Sequence, residues 1–91
     1  MHRKKDITIK KLKIMKVYVA KTLVEYVDYN SCSVEVFENL ADARKWASKE
    51  IDGYAADFTD AEVQKVNDWY RMSSGDSYVT IEIVETEIHK G

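Results

Sequence analysis

The sequence predicts an α+β fold, a two-layer sandwich in which two helices cover one face of a three-stranded sheet. Strand-like alternation recurs at Val17 to Val27 and at Tyr78 to Glu87. Two intervening segments carry apolar residues at helical spacing behind recognisable N-terminal caps. The predicted order is strand, strand, helix, helix, strand (ββααβ), and pairing a helical layer with a sheet gives both a shared core.

Strand 1 is expected from Lys16 to Val27. Successive side chains of a strand point to opposite faces, so Val17, Val19, Leu23 and Val27 share one side and Tyr18, Ala20, Val24 and Tyr26 the other. Both sides are apolar, which argues for a central position and the strand order 2-1-3. Asp28, Tyr29, Asn30 and Ser31 form a turn cluster, because short polar side chains bond their own backbone. Strand 2 then runs from Ser33 to Phe37.

Asn39 is an N-cap candidate, with Asp42 placed to meet the free amides and the positive end of the dipole. Leu40, Ala43, Ala47 and Ile51 fall on one stripe of the first helix, and Gly53 is its expected stop. Thr59 and Glu62 have the spacing of a capping box. They predict a second helix from Asp60 to Met72, burying Val63, Val66 and Tyr70 with Trp69 on its flank. Ser73, Ser74, Gly75 and Asp76 end it before the last strand.

Ninety-one residues make one domain. Residues 1–14 hold six basic residues against Asp6, a net of +5, while the rest hold eight basic and fifteen acidic residues, a net of −7. Met15 directly precedes strand 1, so residues 1–14 are expected to be a disordered leader or an upstream extension of a compact domain at residues 15–91. Cys32 is the only cysteine and cannot form an internal disulfide. No apolar run reaches the length of a membrane span, and a cytoplasmic location is expected.

The chemistry-bearing residues are sparse. With glycine only at 53, 75 and 91, no phosphate-cradling loop can be written. His2 and His89 lie near the ends, away from any acid or nucleophile on a rigid element. Asp57, Asp60 and Glu62 lack calcium-loop spacing, and acidic residues are what the first turn of a helix attracts. The expectation is a protein that is not an enzyme and needs no cofactor or metal.

The sheet face bearing Tyr18, Tyr26 and Tyr78, with Thr22, Val24, Thr80, Glu82 and Val84 between them, is the candidate binding surface. Tyrosines supply broad, rigid contact area with a hydrogen-bonding end. The same pairs on a solvated sheet would contribute only cross-strand stabilisation. The expected partner is another protein or a second copy, since closed dimers are the commonest assemblies.

The alternative is a nucleic-acid-binding accessory protein using Arg3, Lys4, Lys5, Lys10, Lys11 and Lys13. The acidic remainder opposes it, and any affinity of that kind would fall steeply with salt. The stretch Val34 to Ala43 resembles the strand-to-helix junction of many short bacterial and phage proteins. That resemblance implies an accessory protein acting by occupying another protein's surface.

Overall fold

The computed structural model describes residues 13–90. Its elements are β1 (Lys13–Tyr26), β2 (Tyr29–Phe37), α1 (Leu40–Ala55), β3 (Glu62–Val66), β4 (Trp69–Ser74) and β5 (Ser77–Lys90). The five strands form one antiparallel sheet in the order β2-β1-β5-β4-β3. The expected three-stranded sheet with two helices is therefore incorrect: the second helix expected from Asp60 to Met72 is absent, and residues 62–74 form the β3-β4 hairpin.

The physical reason lies in two competing periodicities. Val63, Val66 and Tyr70 fit a helical stripe, but Trp69 to Met72 also alternates, and the sheet uses that alternation. Tyr70 and Met72 point into the core, whereas Trp69 and Arg71 face the other way and are half-buried. Asn67 and Asp68 supply a two-residue loop between Val66 and Trp69, with Asn67 at a left-handed φ of 54° that its short side chain tolerates. Thr59 and Glu62 cap nothing: Thr59 sits in a turn and Glu62 opens β3.

The strands around β1 also differ from expectation at their ends. β1 closes onto β2 through Val27 and Asp28 alone, with Tyr26 opposite Tyr29, so β2 takes in residues assigned to a turn. Its other end includes Lys13 and Ile14, placed in the leader by the sequence reading, while residues 1–12 lie outside the described residues. β1 lies between β2 and β5, and its pairing with β5 extends from Lys13–Lys90 to Glu25–Tyr78.

The start of α1 is set by its cap. Asn39 is extended, and its Oδ1 accepts from Ala41 N at 2.8 Å and Asp42 N at 3.3 Å. Asn39→Ala is expected to lower stability by about 1 kcal/mol, read as a reduced midpoint in urea unfolding. Gly53 does not stop the helix, which runs through it to Ala55 and is closed by Ala56 N–H donating to Asp52 O at 3.1 Å and Asp57 N–H donating to Tyr54 O at 3.2 Å. A Cβ at Gly53 would meet no atom within 4 Å. Gly53→Ala is accordingly expected to raise stability by about 0.5–1 kcal/mol in the same measurement, because glycine carries excess entropy in the unfolded chain.

The helix lies across one face of the sheet. Ala43, Ala47 and Ile51 from α1 meet Ala20 and Val24 from β1, Tyr70 and Met72 from β4, and Val79, Ile81 and Ile83 from β5. Three alanines at this contact let the helix backbone approach closely. Two aromatic pairs flank this core: Phe37 with Trp46 at 5.6 Å, and Tyr26 edge-on to Phe58 at 5.8 Å.

Polar contacts pin α1 to the β3-β4 hairpin from outside. Arg44 Nε donates to Asp68 Oδ1 at 2.7 Å, and Lys65 Nζ donates to Ser48 Oγ at 2.7 Å and Asp52 Oδ2 at 3.1 Å. These are exposed pairs, worth about 0.2–1 kcal/mol each, so they set position more than stability.

Candidate interaction surface

Pairing register decides which side chains share a face. Ala20 lies opposite Ile83, Thr22 opposite Ile81 and Val24 opposite Val79, so even positions of β1 and odd positions of β5 face α1. The opposite parity faces away from the helix. Along this open face, neighbouring strands line up Val36, Val19 and Val84; then Val34, Lys21, Glu82, Trp69 and Val66; then Cys32, Leu23, Thr80, Arg71 and Gln64.

The eight residues proposed as one binding surface consequently divide between two faces. Tyr18, Thr22, Val24 and Tyr26 lie on the helix face, where Thr22 and Val24 are buried and the two tyrosines pack against the core. Tyr78, Thr80, Glu82 and Val84 lie on the open face. A sheet exposing all three tyrosines together is therefore excluded. The sequence reading matched even positions of strand 1 with even positions of the last strand, whereas each pair in the ladder joins an even residue to an odd one. Ile81 is fully buried beneath α1, and Val19 is on the open side.

What the open face does carry is aliphatic. Leu23 is 41 % exposed, Val34 59 %, Val36 58 % and Ile88 42 %. Val19 and Val84 lie half-buried between the β2 valines and the rest of the sheet. Val17, on the same side, is only 5 % exposed and stands apart from the core under α1. A shallow hollow forms between Lys21, Leu23, Cys32, Thr80 and Glu82. Arg71 lies over the Tyr78 ring at 4.6 Å, holding that tyrosine against the sheet. Alternation along β2 puts Val34 and Val36 on one face, and the register joins that face to Val19 and Val84.

The titration behaviour belongs to the helix face. Burial raises the phenol pKa values of Tyr26, Tyr54 and Tyr70 above the ordinary 10.0, with further increases from Asp57 at Tyr26, Glu50 at Tyr54 and Asp68 at Tyr70. Because the folded values are raised, the unfolded chain loses these protons first as pH rises. The associated stability is complete below pH 10 and lost above it. The expected result is a melting temperature that falls as pH rises above 10, and falls less in Tyr70→Phe. Arg44 is likewise raised, chiefly by its hydrogen bond to Asp68.

Among the described residues, no three His, Cys, Asp or Glu side chains converge as metal ligands. Asp60 instead accepts a hydrogen bond from the Ser74 hydroxyl, joining the turn before β3 to β4. Cys32 is a free, exposed thiol on β2. The side chains of Arg3, Lys4, Lys5, Lys10, Lys11 and Lys13, the alternative nucleic-acid site, and of His2 and His89 lie outside the described set. No helix among the described residues is long and apolar enough to cross a membrane. Comparison with known proteins gives no family model, curated protein or solved structure that matches the chain.

Proposed function

We propose that this chain is a non-catalytic protein-interaction module whose contact surface is the open sheet face. The supporting observation is the continuity of Val36, Val19 and Val84 across three strands, extended by Val34 and Leu23, on a face that α1 leaves uncovered. Contiguous apolar surface of this kind is costly to keep in water and is characteristic of docking sites. Lys21 and Glu82 lie between the Val19–Val84 row and Leu23, and Arg71 lies beyond Thr80, so charged groups that can orient a partner stand next to the apolar surface. The partner is a protein presenting a complementary aliphatic surface, and the exposed thiol of Cys32 suits the reducing cytoplasm.

The experiment compares proteins from the native host retained by the immobilised full-length chain, by Val36→Glu/Val84→Glu, and by Lys45→Glu on the exposed side of α1. Retention by wild type and Lys45→Glu with loss in the double variant is expected. The same protein retained by all three would overturn the reading. Retention that instead disappears on neutralising the basic residues before β1 would move the contact to that arm.

A further inference from the structure

The two edges of the sheet are treated differently. β3 is five residues long, carries Glu62 and Lys65, and has Lys65 drawn over to Ser48 and Asp52 of α1. Short length and a lysine are standard protections against strand addition. β2 has nine residues, no proline, no lysine and one charge, Glu35, and none of the loop and cap backbone bonds among the described residues uses it.

The bonding direction along β2 follows from its hairpin. The two-residue loop closes on Tyr26 and Tyr29 as a hydrogen-bonded pair, and bonded pairs then alternate along the ladder. Ser31, Ser33 and Glu35 therefore bond inward to β1. Asn30, Cys32, Val34 and Val36 direct their N–H and C=O groups outward, at the rim of the sheet. The same parity rule is verified at the opposite end, where Ile83 N donates to Asp68 O at 2.9 Å, as counting from the Ser74–Ser77 closing pair requires.

We propose that β2 pairs antiparallel with β2 of a second copy about a two-fold axis at Ser33, joining two five-stranded sheets into one continuous sheet. Outward-directed residues must bond one another, so the two numbers in each pair add to an even total. Overlap of the whole strand then selects Ser33 as the centre. Asn30 pairs with Val36 of the second copy, and Cys32 with Val34.

The strand is self-complementary in this register. Glu35 meets Ser31 rather than another carboxylate, and Tyr29, 58 % exposed in one chain, meets Phe37 as a cross-strand aromatic pair. On the open face, Val34 and Cys32 of the two copies adjoin, so the aliphatic surface becomes continuous across the axis. This assembly is made by the backbone edge of β2 and not by the open face; Val34 belongs to both, and Cys32→Pro tests the edge through its N–H alone.

Sedimentation equilibrium of the full-length protein is expected to give a dimer. Cys32→Pro removes an outward N–H without touching the bonds to β1, and Val34→Lys places a charge at the axis. Each is expected to weaken association at least tenfold with no loss of helical circular dichroism.

In a Cys32→Ser background, Ser33→Cys sits at a non-hydrogen-bonded pair, where Cα atoms approach to about 4.5 Å, within disulfide range. It is expected to give a covalent dimer on mild oxidation. A wild-type monomer at several hundred micromolar would overturn the proposal. So would a dimer that persists in folded Cys32→Pro and Val34→Lys, or one that Val84→Glu dissociates while those two do not. Failure of Ser33→Cys to cross-link a dimer would overturn the Ser33 axis.

Discussion

Replacing Ile51 with alanine is expected to lower stability by about 2–5 kcal/mol, among the large effects open to a single truncation in this core. Ile51 is fully buried and is the bulkiest α1 side chain in the central cluster, since its companions on the helix stripe are alanines. Leu40, Trp46 and Tyr54 pack partly buried against the same core, but Ile51 is the one large α1 side chain that is fully buried there. Removing it forfeits the transfer energy of the lost groups and leaves a void that alanine neighbours cannot fill by repacking. At about 4–8 °C per kcal/mol for a small domain, the loss should appear as a fall in melting temperature of about 8 °C or more. A change below about 1 kcal/mol would mean that α1 contributes little to the core.

Ala47→Leu tests the same contact from the opposite direction and is expected to destabilise by about 1–3 kcal/mol. Ala47, Ala43 and Ala20 are all fully buried, and together they mark where the helix backbone comes nearest the sheet. Additional side-chain atoms there must push α1 outward, which also stretches the bonds from Arg44 to Asp68 and from Lys65 to Ser48 and Asp52. The signature is a lower denaturation midpoint with increased binding of a hydrophobic dye. A neutral or stabilising result would show that the contact contains spare volume.

Local signals in the sequence were largely legible. Asn39 and the Leu40, Ala43, Ala47, Ile51 stripe identify α1 because cap and periodicity there describe the same element. Between Thr59 and Met72 they conflict: a capping-box spacing and a 3–4 stripe point to a helix, whereas Asn67-Asp68 and the alternation of Trp69 to Met72 fit a hairpin. Nonlocal pairing resolves that conflict, since Tyr70 and Met72 gain Ile81 and Val79 as cross-strand neighbours only in the sheet.

The candidate surface failed for a related reason. β1 is apolar on both sides, so its pattern cannot state which side receives the helix, and the register with β5 is a property of two segments more than fifty residues apart. Shifting that register by one residue would interchange inner and outer side chains.

The pairing of β1 with β5 also bears on how the chain reaches its folded form. The β1-β2 hairpin and the β3-β4-β5 meander each assemble from near neighbours, but the seam between them joins Lys13 to Lys90 and runs to Glu25 and Tyr78. Such high contact order requires a long loop to close before the seam yields any stabilisation, which places folding in the slower range for domains of this size. Removing β5 would expose the inner edges of β1 and β4 at once, so a ribosome-bound chain cannot complete its sheet until β5 has emerged.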